Sequence, residues 1–213
     1  MPRRDSTPLA RVLGHPLTIT VVGAVLAAVI LPPLTRGWQD RQKELELKRD
    51  LVTQLAQSST VAVRAGIPST RPTRDAARRD WLVQRSVSNA IIATYFPSLA
   101  DCWFNYSDAI TAFLEMRSAS KDAARDVEPK GHEIKTKLAS TRRTCHWDEG
   151  LPPAEAQRLR TLKQSVIPKL DGLTTADVPG IASDLGTLIL IGRDGIIRRI
   201  VAAQARGYAH GIL

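Results

Sequence analysis

Cysteine is scarce in this chain. Cys102 and Cys145 are the only two in 213 residues, and no CxxC or HxxxH pair accompanies them. A zinc site built from closely spaced ligands is therefore excluded on spacing. The one His-Glu step, in GHEIK (131–135), lacks a second histidine four residues after the first, so it is not a metalloprotease helix. There is no GxSxG, no phosphate-binding P-loop and no GxGxxG. On these grounds no catalytic residue, metal ligand or cofactor is assigned, and no small-molecule ligand is identified. Aromatics are also few, at 5%. Three of the four tryptophans, Trp81, Trp103 and Trp147, fall in the middle of the chain, and the aromatic anchors of a core are expected there.

A local lack of charge is the strongest signal. Between Arg11 and Arg36 only His15 can carry one. Residues 16–34 are almost wholly apolar. As a helix they would measure about 28 Å, close to the ~30 Å hydrocarbon core of a bilayer. Pro16 suits a first helical turn and Pro32-Pro33 an exit. A cleaved signal peptide competes, because Arg3, Arg4 and Arg11 form a basic head. The run is long for that role, however, and LPPLTRGW is a poor cleavage site. The expectation is an uncleaved transmembrane helix in a cell membrane, with the lipid bilayer as a partner. Arg36, Arg41, Lys43, Lys48 and Arg49 outnumber the basic residues on the other side, which favours a cytoplasmic C-terminal domain.

Trp38 stands just past the span, where an indole suits the headgroup zone, and is a candidate interfacial anchor. Leu47, Leu51 and Leu55 then recur at helical spacing, so an amphipathic juxtamembrane helix is expected over 35–65. HPL, the apolar run and LTRGWQDRQKELELK (34–48), with YFPSLADCWFNYSDAITAF (95–113), resemble a group of uncharacterised prokaryotic single-pass membrane proteins. The resemblance covers about the first 50 residues, and residues 80–115 more loosely. It implies a membrane span and a helical domain, and it brings neither an activity nor a functional residue.

GIPSTRPTRD reads as a linker, placed with its basic residues at 66–79. Arg71, Arg74, Arg78 and Arg79 form a candidate lipid-facing patch. From residue 80 to 213 the period is helical. Val83, Val87, Ala90 and Ile91 fall on one face of a first helix that Pro97 ends. Leu99, Cys102, Trp103, Tyr106, Ile110, Phe113 and Leu114 form the next stripe. EPKG (128–131) marks a turn. Ile134, Leu138, Thr141 and Cys145 form another stripe, and Leu159, Leu162, Val166 and Leu170 a further one. GTLILIG (186–192) suits a buried helix or a strand. No partner strand is seen, so it is read as helical or irregular, with Gly192 and Gly195 as breaks.

The fold class expected is thus all-α: one N-terminal transmembrane helix after a short basic tail (1–15), a juxtamembrane amphipathic helix, and an antiparallel helical bundle. The two cysteines lie on apolar stripes. They allow two buried thiols, a disulfide, or a metal site with His132 or His146. A net charge of +9 fits an anionic surface. No nucleic-acid-binding signature accompanies it, and the aromatics sit on apolar stripes, so no specific nucleic acid is expected. The function expected is binding: to a protein partner, to itself as a homo-oligomer, or to the membrane surface. An enzyme with a bundle site built from His132, Glu133 and His146 is the alternative.

Overall fold

Proline decides where several helices begin and where one stops. The computed structural model describes residues 31–67, 70–118 and 127–203. Among these are six α-helices and no strand: α1 (Leu31–Gly66), α2 (Arg71–Tyr95), α3 (Ala100–Ser118), α4 (Val127–Cys145), α5 (Pro153–Val166) and α6 (Val178–Ala202). Short 3-10 turns occupy Pro97–Leu99 and Ile167–Leu170. Proline stands in the opening turn of α2, α5 and α6, where no backbone N–H is needed. Pro97 forces the residue before it out of the helical region; Phe96 has φ −131° and ψ 55°.

The expected transmembrane helix is corrected. Residues 16–30 of it, with the basic tail, lie outside the described residues. Among the described residues no helix is long and apolar enough to cross a membrane. Where the span was expected to end, at Pro32-Pro33, the chain is inside α1, which runs unbroken to Gly66. The stretch expected as a separate juxtamembrane helix is part of that same element. Arg36, Asp40, Arg41, Lys43, Glu44 and Glu46 load α1 with charge, a density that would be very costly in hydrocarbon, so α1 is not a spanning helix.

Other boundaries also move. The linker expected to reach residue 79 is shorter, because helix α2 already starts at Arg71. The expected EPKG turn is the start of α4: Pro129 falls in its first turn, where a missing donor costs nothing. The run 186–192 lies in the middle of α6, and neither Gly192 nor Gly195 breaks it.

Residues Leu47–Gly207 form one compact unit, and residues up to Glu46 belong to another. Within the Leu47–Gly207 unit, side-chain pairs give the direction of each helix. From α2 to α3 the pairs run Arg78–Glu115, Trp81–Thr111, Arg85–Asp108 and Asn89–Trp103, which is antiparallel. From α3 to α4 they run Cys102–Cys145 and Glu115–Lys130, again antiparallel. The α3 stripe expected from the period is wholly buried, as is Ile134, Leu138, Thr141 and Cys145 on α4. Helix α3 sits at the centre, packed against α2, α4 and α6. Its Trp103 meets Trp81 edge-on at 6.3 Å and Tyr106 at 5.7 Å. Both indoles donate, Trp81 to Thr111 and Trp103 to Asn89, and the Tyr106 hydroxyl donates to the Ile189 carbonyl. Burial pushes the Tyr106 phenol well above its usual range, against the opposing pull of Arg193.

Two glycines are close-approach positions. A Cβ on Gly131 would lie 2.5 Å from the Leu170 carbonyl oxygen, and one on Gly195 would lie 2.3 Å from that of Trp147. Gly195→Ala is therefore expected to destabilise the protein by about 1–3 kcal/mol through overpacking against backbone. Gly180→Ala, with open space around it, is expected to gain about 0.5–1 kcal/mol from helix propensity. Chemical denaturation of the two variants side by side checks both signs.

Candidate functional site

Cys102 and Cys145 are bonded to each other, with Cα atoms 5.6 Å apart, and both are buried. The bond ties the start of α3 to the end of α4. Among the described residues no group of three His, Cys, Asp or Glu side chains could hold a metal. His132 stands 3.7 Å from Asp171, His146 lies 3.0 Å from Glu149, and Glu133 pairs with Lys130 at 2.9 Å. The three candidates for a bundle-type enzyme site are thus engaged with three different partners and do not converge.

The four arginines of the basic patch differ in exposure: Arg71 and Arg79 are exposed, Arg74 and Arg78 are partly buried, and Arg78 pairs with Glu115 at 3.0 Å. Glu115 also takes Lys130 at 2.7 Å. Burial pulls the Glu115 carboxyl up, but the hydrogen bonds and charges of Lys130 and Arg78 outweigh it and hold the group below its usual range. Trp38 is 72% exposed on α1.

Helix α2 presents the largest departure from its sequence pattern. The face expected to be core, Val83, Val87 and Ala90, points to solvent, with Val83 63% and Val87 45% exposed. The inner face is Ala77, Trp81, Ser88 and Ile92. Arg85 joins it by pairing with Asp108, which Lys137 also reaches at 2.6 Å. Outward, Ala76, Asp80, Val83, Val87, Ala90 and Thr94 follow a 4-3-4-3-4 spacing, the seam spacing of paired helices. Beside this face, a groove of about 550 Å³ runs between α1 and α2. Gln54 bridges it by donating to Gln84 at 2.8 Å, and its lining includes Arg49, Asp50 and Asp80.

A second concavity, of about 340 Å³, lies under Trp147. The chain builds it from the end of α4. His146 adopts φ 47°, a left-handed conformation that stops the helix while its N–H still reaches the Arg142 carbonyl at 2.8 Å. Trp147 is thereby carried inward to 2% exposure. Leu138 and Ala139 of α4, Ile167 of the 3-10 turn after α5 and Leu188 of α6 complete an apolar lining, and Lys135, Arg142 and Lys163 edge it. The Lys163 ammonium lies 4.9 Å from the Trp147 ring centroid. It also donates to Asp148 at 2.8 Å, and Arg142 Nε meets the same carboxylate at 2.7 Å. Burial raises the Asp148 carboxyl, but Lys163 and Arg142 together hold it below its ordinary range. Unlike the indoles of Trp81 and Trp103, the buried Trp147 Nε1–H has no hydrogen-bond partner among the described residues. A buried donor left so costs about 1–3 kcal/mol.

Sequence reasoning placed Trp147 in the core and missed the cavity. The available signal was Lys135 and Arg142, two helical turns apart on α4 and flanking Leu138 and Ala139. The chain matches no protein-family model, no curated protein and no solved structure. The resemblance noted from its first 50 residues therefore lends the site no roles.

Proposed function

We propose that this chain acts by binding, and that it associates with a second copy of itself through the outer face of α2. The observation that carries this reading is the exposed apolar seam of Val83, Val87 and Ala90. A 3-4 stripe exposed on a helix suits another helix laid along it. Charge selects the direction. Every charged residue of α2 lies at or before Arg85, and the stretch from Ser86 to Tyr95 has none. A parallel pair would set arginine against arginine. An antiparallel two-fold pair sets each basic half beside the partner's uncharged half and its helix C-terminus. The buried disulfide supports an oxidising compartment for the bundle, against the cytoplasmic placement favoured by the Lys/Arg count.

In an antiparallel pair with its two-fold at Val87, Val87 meets its own counterpart, whereas Thr94 meets Asp80. Oxidation of Val87→Cys in the full chain is expected to give a reducible dimer, and Thr94→Cys alone is not. Val87→Glu is expected to weaken dimerisation about tenfold or more, measured by light scattering across a dilution series. It should leave unfolding within about 0.5 kcal/mol of the parent, because the position is on the surface. A monomer at every concentration that instead co-sediments with anionic vesicles through the same face would overturn self-association in favour of lipid.

A further inference from the structure

The cavity under Trp147 is separate from the α2 seam, and the self-association reading leaves it unused. Its size falls within the usual range of small-molecule sites, about 300–1,000 Å³. Its walls are hydrocarbon and indole, and charged side chains border it at both ends of its α4 wall. At one end Lys135 is balanced by Asp171; at the other Arg142 and Lys163 face a single carboxylate, Asp148, leaving one positive charge in excess. Arg142 approaches Asp148 most closely through Nε, and its side chain is 61% exposed. A guanidinium presented that way suits a planar two-oxygen anion. Arg142 and Lys163 also line an adjoining cavity of about 470 Å³ that contains Arg160, which adds to the positive field on that side. The Trp147 ring is part of the same lining.

We propose that this cavity binds a small amphiphilic carboxylate, its apolar body against Leu138, Ala139, Ile167 and Leu188 and its carboxylate at Arg142 and Lys163. A purely apolar ligand would leave the cations at the rim without a counter-charge. A cationic one would face the excess charge. A dianionic phosphate would exceed the single charge the edge leaves over. The ligand class is therefore a free monocarboxylate with a short hydrocarbon body.

Decanoate is the probe, titrated into the full chain, with 1-decanol and decyltrimethylammonium as comparators. The readout is the Trp147 indole N–H resonance, assigned with Trp147→Phe, together with calorimetry. Decanoate is expected to saturate and to move that resonance. It should bind at least about tenfold more tightly than the alcohol, the gain expected of a charge-assisted hydrogen bond. The ammonium compound should not displace it. Ala139→Phe, at an exposed helical position on the rim, is expected to fill the cavity and abolish binding. Arg142→Gln should weaken it about tenfold, and serves alone if Ala139→Phe fails to fold. Equal affinity for acid and alcohol, an unmoved indole resonance, or decanoate binding that survives the substitutions overturns the proposal. So does an equal shift of the indole resonance by phosphatidylglycerol vesicles, which would assign the edge to a lipid headgroup.

Discussion

Removing the Cys102–Cys145 bond is expected to lower the stability of the bundle by about 4 kcal/mol. The cysteines are 43 residues apart, and the loss follows from the loop-closure entropy that a cross-link of this span removes from the unfolded chain. The corresponding fall in melting temperature is about 8–16 °C for a domain of this size. Both sulfurs are buried, so reductant reaches them slowly in the native protein. The cleaner comparison is Cys102→Ala with Cys145→Ala, since alanine leaves no buried polar group behind. Calorimetric unfolding of that double variant against the parent is the measurement. A loss under about 1 kcal/mol would mean that the packing of α3 on α4 restrains the unfolded ensemble almost as well as the bond does.

The second large effect is expected at Trp103. Its side chain is 1% exposed and touches both Trp81 and Tyr106. Trp103→Ala removes the ring from the centre of α3 and opens a cavity that neighbouring rings cannot close, at about 3–5 kcal/mol. It also leaves the Asn89 carbonyl, which accepts the indole hydrogen bond at 2.7 Å, without that donor. Trp103→Phe keeps most of the volume, loses the hydrogen bond, and should cost clearly less. Urea denaturation separates the two through the midpoint. Trp38→Ala, at a 72% exposed position, is expected to stay within about 0.5 kcal/mol of the parent.

These two positions were legible before any coordinates, because α3 and α4 obey the simplest rule: apolar residues recur every three to four positions and those residues are inside. Helix α2 defeats the same rule. Its most continuous apolar stripe is outside, and its inner face admits Ser88 and Arg85. Arg85 can sit there only because Asp108, on the next helix, neutralises it, and a hydrophobicity pattern within one helix does not register a partner on another. The glycines of α6 misled in a related way. Taken alone, Gly192 and Gly195 weaken a helix. Beside Trp147, the missing side chain of Gly195 is what lets α6 approach. Whether Cys102 and Cys145 pair was open in the sequence, since spacing carries no distance in space. Of the cavity the sequence holds only the Lys135 and Arg142 pair on α4, because the turn after α4, α5, the Ile167–Leu170 turn and α6 each supply another part. The charge-free run at 16–34 looked like the clearest feature. The charged helix that follows directly from its last four residues shows how little an apolar count says about where an element stops.

The covalent bond between α3 and α4 has a mechanical consequence. It makes the chain a closed ring with two tails, α1 and α2 on one side and α5 and α6 on the other. A force applied to the two ends passes through the sulfurs and never loads the ring. The hidden length is the 43-residue separation, about 150 Å of extended chain. Under tension the oxidised molecule would stop lengthening short by that amount, and α3 and α4, enclosed by the bond, would be shielded from the pull.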